Sequence, residues 1–269
     1  MRTIVHLSDI HFGRIEPDLV HRLSAAIVRT APDLLAVSGD LTQRAKRSEF
    51  TAARTFLDAL PFPRLVVPGN HDVPLYNVFT RFLTPLARYR RAITPDLSPV
   101  FQDDELIVVG VNTARSFTIG EGQINEGQVD EIVTHLSGAP PGLVRIVVTH
   151  HPFDLPEGVG EERLLGRAAM AMAKLSAAGA DLFLAGHLHI SHIGHTGERY
   201  RIAGHSALVV QAGTVSTRSR GEQPSFNVLR IQRPTIAVER LVWDPDRATF
   251  AEAAASVYRH AESGWVKVR

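Results

Sequence analysis

Five short apolar runs in this chain each stop at residues able to bind a metal, and that recurrence limits the fold more than any other feature. Thr3–Ser8 runs into Asp9-Ile10-His11, Asp33–Ser38 into Gly39-Asp40, and Arg64–Val67 into Gly69-Asn70-His71-Asp72. Leu143–Thr149 ends at His150-His151, and Asp181–Ala185 at Gly186-His187-Leu188-His189. Short Val- and Leu-rich runs bounded by turn residues read as buried strands. Between the first three lie helical spacings. Leu19–Thr30 places Leu19, Val20, Leu23, Ala26 and Ile27 on one face. Ser48–Leu60 does the same with Phe50, Ala53 and Leu57, with Ser48 as N-cap and Pro61 as the stop. Strand and helix in alternation predict a largely parallel sheet with helices packed on it. The carboxyl ends of such strands face the ligand crevice, so residues as far apart as Asp9 and His189 can meet at one edge.

Further along, Asn77–Arg91, Gly127–Leu136 and Ala168–Ala178 read as helices and Leu106–Val111 as a strand; the methionines of Ala168–Ala178 read as core filling. Tyr200–Ile202, Ala207–Gln211, Phe226–Ile231 and Thr235–Val242 predict a mostly antiparallel sheet closing the fold, and Arg247–Tyr258 a last helix. Neither an internal repeat nor a Gly/Ser linker breaks the chain, so residues 1–269 are expected to form a single domain.

The chain holds 13 histidines and no cysteine. Disulfides, thiolate metal sites and a cysteine nucleophile are thereby excluded, and a metal must be held by nitrogen and oxygen. Net charge is +1, from 29 basic and 28 acidic side chains, without a basic stripe. Arg88-Tyr89-Arg90-Arg91 is short and reads as a solvated helix end. A nucleic-acid partner is therefore disfavoured. None of the apolar runs approaches the ~20 residues of a membrane span, and Met1–Gly13 lacks a basic-then-apolar leader. A cytoplasmic protein without membrane association is the expectation.

The ligand types narrow the chemistry. In Asp9-x-His11 and His187-x-His189 the i and i+2 side chains point to one side of an extended backbone, so both can reach one ion. Asp40 offers two oxygens and can bridge two cations; Asn70 offers a neutral carbonyl oxygen. Such a set suits Mn, Fe, Co or Zn better than Mg or Ca. Seven ligands exceed what one ion takes and fit two ions sharing a bridge. The glycines before Asp40, Asn70 and His187 suit sharp bends. Each piece alone has a plainer reading, Gly39-Asp40 as a turn and His187-x-His189 as sheet histidines. The ordered set at five strand ends carries the inference.

In this order the motifs Asp-x-His, Gly-Asp, Gly-Asn-His-Asp, His and Gly-His-x-His resemble those of the calcineurin-like metallophosphoesterase family. The resemblance implies an α/β fold of the four-layer αββα sandwich type with a dinuclear centre at the sheet edges. Asp9, His11, Asp40 and His189 would hold one ion; Asp40, Asn70, His150 and His187 would hold the other. Two divalent or mixed-valence transition-metal ions are implied, Mn and Fe ahead of Zn and Co, with a homodimer as one arrangement. Val37–Thr42 and Val148–Pro152 look most like the bacterial class III cyclic-nucleotide phosphodiesterase branch.

The expected function is hydrolysis of a small phosphodiester, a 3',5'-cyclic nucleotide among the candidates. Two ions about 3.5–4 Å apart clamp a phosphoryl oxygen and lower the pKa of a bridging water, which attacks phosphorus in line. The resemblance assigns His71 to stabilising the transition state or protonating the leaving oxygen. Asp72 joins His71 as a catalytic candidate by orienting it or a ligand, against an equal reading as a helix N-cap. Side-chain alternation lets only one of His150 and His151 point inward, and the resemblance selects His150. His192, His195 and His205 read as exposed sheet histidines, and His6, His21, His135 and His260 as structural. Arg14 and Arg218 could meet a substrate phosphate. The alternatives are another phosphoester (a glycerophosphodiester, a nucleotide-sugar pyrophosphate or a monoester) and, behind these, a non-catalytic metal-binding scaffold. A scaffold would be expected to have lost ligands or His71, and here all are present.

Overall fold

Strands β1 (Arg2–Leu7), β2 (Leu34–Ser38) and β3 (Arg64–Val67) lie side by side in parallel, with Ile4 opposite Leu34 and Leu35 opposite Arg64. Helices α1 (Pro17–Thr30) and α2 (Arg47–Asp58) make the crossovers. The computed structural model describes residues 1–200, 206–218, 220–262 and 264–269. Past β1 the sheet continues antiparallel through β10 (Ser225–Gln232), β11 (Thr235–Asp244), β12 (Thr249–Ala261) and β13 (Gly264–Lys267). A second sheet has the order β4-β5-β6-β7-β9-β8. Its members are β4 (Val100–Gln102), β5 (Leu106–Gly110), β6 (Val144–Val148), β7 (Leu182–Ala185), β9 (Leu208–Gln211) and β8 (His192–His195). From β5 to β9 the pairing is parallel; the two outer strands run antiparallel.

Strands β2, β5 and β7 are buried along their whole length, as their unbroken apolar runs require. Ile4, Leu34 and Val67 of the first sheet pack against Val108, Ile146 and Leu184 of the second. The outer face of the first sheet is covered by Leu23 and Ile27 of α1, Phe50 of α2 and Tyr89 of α4 (Ala87–Ala92). That of the second is covered by Ile132 and Leu136 of α5 (Glu126–Gly138) and Met172 and Leu175 of α6 (Ala168–Ala177). Each side chain so enclosed contributes ~1.5–3 kcal/mol of burial. The result is the αββα sandwich.

Several local expectations are corrected. Arg247–Tyr258 is not a helix but most of β12, which pairs with β11 over ten registered positions, Asp244↔Thr249 to Thr235↔Arg259. Its alanines favour helix, but pairing with a neighbouring strand outweighs local propensity. The span Asn77–Arg91 is interrupted at Thr84–Leu86, around Pro85, leaving α3 (Val78–Leu83) and α4. Helix α2 begins at Arg47, so Ser48 is not its cap; the Glu49 carboxylate instead accepts from the backbone N–H groups of Arg44 and Lys46. Leu208–Gln211 joins the second sheet in parallel with β7, and β8, which carries the sheet histidines His192 and His195, pairs antiparallel with it. Tyr200 ends the short helix α7 (Thr196–Tyr200); Ile202 and His205 lie outside the described residues.

Candidate metal centre

The backbone at the strand ends is bent in an uncommon way. Asp9, His11, Asp40, His187 and His189 have φ of 53°, 49°, 53°, 73° and 59°. Side chains avoid this left-handed region at a cost of about 1 kcal/mol or more per residue. Cross-loop hydrogen bonds hold them there. Asp9 N–H donates to Gly39 C=O at 3.1 Å, His11 N–H to Asp40 C=O at 3.0 Å, and His187 N–H to Asp9 Oδ2 at 2.8 Å. Gly39, at φ 91°, lies where a Cβ would meet the His150 ring, and Gly186 where a Cβ would overlap Ser8 Oγ and Asp9 Oδ2. Gly186 serves close approach of the two sheets rather than a bend.

The side chains form two adjoining groups. In the first, His189 Nε2 lies 3.1 Å and His11 Nε2 3.6 Å from Asp9 Oδ1, and the two Nε2 atoms are 3.1 Å apart. In the second, Asn70 Oδ1 lies 3.0 Å from His150 Nε2 and 3.1 Å from His187 Nδ1. Asp40 Oδ2 stands between them, 3.8 Å from His11 Nε2 and 3.4 Å from His150 Nε2. Metal–ligand bonds of about 2.0–2.2 Å space neighbouring donor atoms about 3–3.5 Å apart, so these separations fit coordination.

The hydrogen bonds behind the rings agree. His11, His150 and His189 each turn Nδ1 to a backbone carbonyl, of Thr42, Ser38 and Arg218 at 3.3, 2.8 and 2.7 Å. A carbonyl only accepts, so Nδ1 carries a hydrogen and Nε2 faces the centre, where it can bind a metal or a second proton. Facing lone pairs on His11 and His189 repel unless a cation or proton is shared. Asp9 Oδ2 accepts from Ser8 Oγ and His187 N–H, yet Asp9 Oδ1, buried, has no hydrogen-bond partner among the described residues. It is the kind of orphaned polar atom that a bound cation satisfies.

Electrostatics follow from burial and proximity. Burial alone would raise the Asp9 and Asp40 carboxyls, but the surrounding histidines hold both below the usual range, His189 and His11 acting on Asp9, and His150 and His71 on Asp40. Burial disfavours the His150 imidazolium, yet Asp40 and Asp9 outweigh it and raise His150 to about 9. His187 is pushed down to about 3 by burial and by His150. A metal entering here competes with protons on His150 and His189, the latter also raised by Asp9 against the effect of burial.

His71 lies on the one-turn 3₁₀ helix Asn70–Asp72, its ring edge-on to His11 at 4.8 Å. Its Nε2 meets Arg218, which makes Arg218 part of the site. Arg14 is not: it is exposed and offers its carbonyl to Thr217. Asp72 is fully buried and points away from the centre. Its carboxylate accepts from Leu41 N–H (3.2 Å), Thr42 N–H (2.9 Å), Thr42 Oγ (2.9 Å) and Gly69 N–H (3.0 Å), tying the loop of Asp40 to that of Asn70. Burial and Asp40 push it up to about 6.

His151 departs from expectation. It is buried, its ring 4.6 Å from that of His187, with Nδ1 on Thr113 Oγ at 2.8 Å, and it groups with His150 and His187. Strand alternation fails because β6 has already ended at Val148. His192 and His195 stay away, the first beside Asp154 and the second against Tyr258. The residues most readily missed from sequence are Gln43, whose carbonyl holds His71 at 2.9 Å, and Arg44, which lines the same cleft of ≈ 190 Å³; neither stands in a motif.

A two-sheet αββα sandwich with histidines and aspartates gathered at its strand ends is the architecture of a metallophosphoesterase. Residues 2–191 match the family model of the calcineurin-like phosphoesterases, and the chain belongs to that family. It is 35% identical over 165 residues to the glycerophosphodiester phosphodiesterase GpdQ of Enterobacter lignolyticus (strain SCF1). That match covers 56% of this chain and 58% of the relative, so the chain spans little more than half of that protein. Among solved structures it is similar to a dimetal phosphatase from Danio rerio, with TM-score 0.66 and 13% identity over 93% of this chain and 98% of that one. The purple acid phosphatase PPD1 of yellow lupin (Lupinus luteus) gives TM-score 0.67 and 9% identity over 95% and 53% of the two chains. At such identities the likeness is one of fold. Among the described residues no helix is long and apolar enough to cross a membrane.

Proposed function

We propose that this protein hydrolyses small phosphodiesters with the help of two transition-metal ions. The observation that carries the reading is the place of Asp40, one carboxylate set between His11 and His150, with a separate donor group on either side. Asp9, His11, Asp40 and His189 would hold one ion and Asp40, Asn70, His150 and His187 the other, Mn and Fe ahead of Zn and Co. Bound there, the ions would supply an activated water and offset charge on the phosphoryl oxygens.

The chain's own residues do the rest. His71, its Nδ1–H anchored on Gln43, presents Nε2 to the cleft where a leaving oxygen would sit. Protonated at Nε2 once Arg218 has turned to the phosphoryl group, it would deliver that proton to the leaving alkoxide. Burial holds its pKa down, which makes the imidazolium a stronger acid. Asp72 positions Asp40 and Asn70 through their loops. The modest cleft suits a compact diester; 3',5'-cyclic nucleotides and, by likeness to GpdQ, glycerophosphodiesters are the first substrates to try.

The test is hydrolysis of bis(p-nitrophenyl) phosphate against p-nitrophenyl phosphate, after chelation and again after Mn²⁺ is restored. Metal-dependent cleavage favouring the diester is expected. Preference for the monoester would make the protein a phosphatase, and metal binding without cleavage of either ester would favour a scaffold.

A further inference from the structure

Eight arginines among the described residues have carboxylate partners, among them Arg2 with Asp103, Arg54 with Asp58, Arg199 with Asp154, Arg230 with Glu239 and Arg240 with Glu222. None of the arginines that line the cleft is among them. Arg44, Arg218 and Arg220 line one part of it, and among the described residues none of the three is in an ion pair; Arg81 gives its donors to the Pro74, Ser116 and Thr118 carbonyls, Arg163 lies toward His187, and Asp40 is the one carboxylate in the lining. Arg218 is close to Asp40 and Asp9, which favour its charge, and also to Arg44 and Arg220, whose charges oppose it. Arg44 lies over the Tyr76 ring, 5.6 Å from its centroid, and its N–H donors have no hydrogen-bond partner among the described residues.

Asp40 and Asp9 are the buried carboxylates of the centre, so like charges at Arg44 and Arg220 stay unfavourable until a further anion joins them. A phosphodiester brings a single negative charge, and the metal centre with Arg218 already answers it. Arg44 and Arg220 remain, on a guanidinium geometry that matches phosphate oxygens. We propose that Arg44 and Arg220 form a subsite for a second phosphate group, so that the preferred substrate is a phosphodiester carrying a further phosphate monoester. This deepens the diesterase reading and rests on it.

Calorimetric titration of the Mn²⁺-loaded full chain, repeated on chelated protein, tests the subsite without relying on turnover. The probes are propanediol monophosphate, propanediol bisphosphate and hexanediol bisphosphate. At least one bisphosphate is expected to bind about tenfold more tightly than the monophosphate, as charge-assisted bonds to a second phosphate require. Arg44→Ala with Arg220→Ala is expected to reduce that ratio to about twofold or less, the factor two equivalent phosphates give by chance. Arg220→Gln alone, at an exposed position where folding is not at stake, should reduce it in part. Equal affinity for mono- and bisphosphates, or a preference that survives both variants, would overturn the subsite. Bis(p-nitrophenyl) phosphate turnover on the same samples keeps the two ideas apart: a preserved ratio without turnover removes the diesterase reading and leaves the subsite standing.

Discussion

Arg218 donates a guanidinium N–H to Nε2 of His71 at 2.9 Å, while Nδ1 of the same ring faces the Gln43 carbonyl at 2.9 Å. The carbonyl can only accept, so His71 is neutral, with its hydrogen on Nδ1 and a lone pair on Nε2. In this state it has no proton to give from Nε2. The proposed role as an acid would therefore begin only when Arg218 lets go and Nε2 is protonated, both changes favoured by the arrival of an anionic substrate.

His71→Ala tests this through the leaving group. An alkoxide needs a proton as it departs, whereas p-nitrophenolate does not. Turnover of an alkyl diester such as glycerophosphoethanolamine should fall about 10²–10⁴-fold in the variant, and that of bis(p-nitrophenyl) phosphate far less. Metal content should be retained. Equal losses on both substrates would show that His71 acts otherwise than by protonating the leaving oxygen.

Asp72→Ala should weaken both fold and metal binding. It removes the acceptor for Leu41 N–H, Thr42 N–H, Thr42 Oγ and Gly69 N–H, all buried. Unmet buried donors cost about 1–3 kcal/mol each, partly relieved by relaxation, so thermal midpoint should drop by many degrees. Since both flanking loops carry proposed ligands, metal stoichiometry at fixed Mn²⁺ should drop with it, and Asp72→Asn, which keeps one acceptor oxygen, should restore part of each. Full metal occupancy in a destabilised Ala variant would confine Asp72 to stability.

The strand ends could be read because their residue types are chosen by chemistry: Asp9, His11, Asp40 and His187 have no apolar task at the mouth of a sheet. The layering could be read because β2 and β5 are apolar on both faces. What escaped was decided by distant parts of the chain. The alanines of β12 say helix locally and become strand through registry with β11, including a bulge at Arg240/Leu241. His151 lies beyond the last residue of β6, where alternation no longer applies. Arg44 and Gln43 reach the cleft from the loop before α2, and nothing in their spacing distinguishes them from surface side chains.

Gly186→Ala probes the approach of the two sheets. A methyl group there would overlap Ser8 Oγ and Asp9 Oδ2, and crowding of this kind typically costs about 1–3 kcal/mol. The thermal midpoint should fall, and Asp9 should be displaced enough to weaken metal binding. Adding Ser8→Ala removes the nearest obstacle and should recover part of the lost stability. A double variant no more stable than Gly186→Ala alone would place the strain on Asp9 instead.

Metal removal should narrow the pH range over which the protein is stable, and the titrating histidines set the direction. His150 is raised from 6.5 to about 9, so in the metal-free protein its contribution is complete below pH 6.5 and is lost as pH rises through 9. Each tenfold gain in proton affinity is worth ~1.4 kcal/mol, so that loss is on the order of 3 kcal/mol. His6 and His187 are lowered by burial to about 3, so their contribution is present above pH 6.5 and is lost as pH falls toward 3. Chelated protein should therefore be most stable near pH 6.5. With Mn²⁺ bound, His150 is held deprotonated by its ligand, so the alkaline loss should disappear while acid still expels the metal. Thermal midpoints with Mn²⁺ and with chelator should consequently diverge between pH 6.5 and 9. Parallel curves across that window would remove His150 from the ligand set.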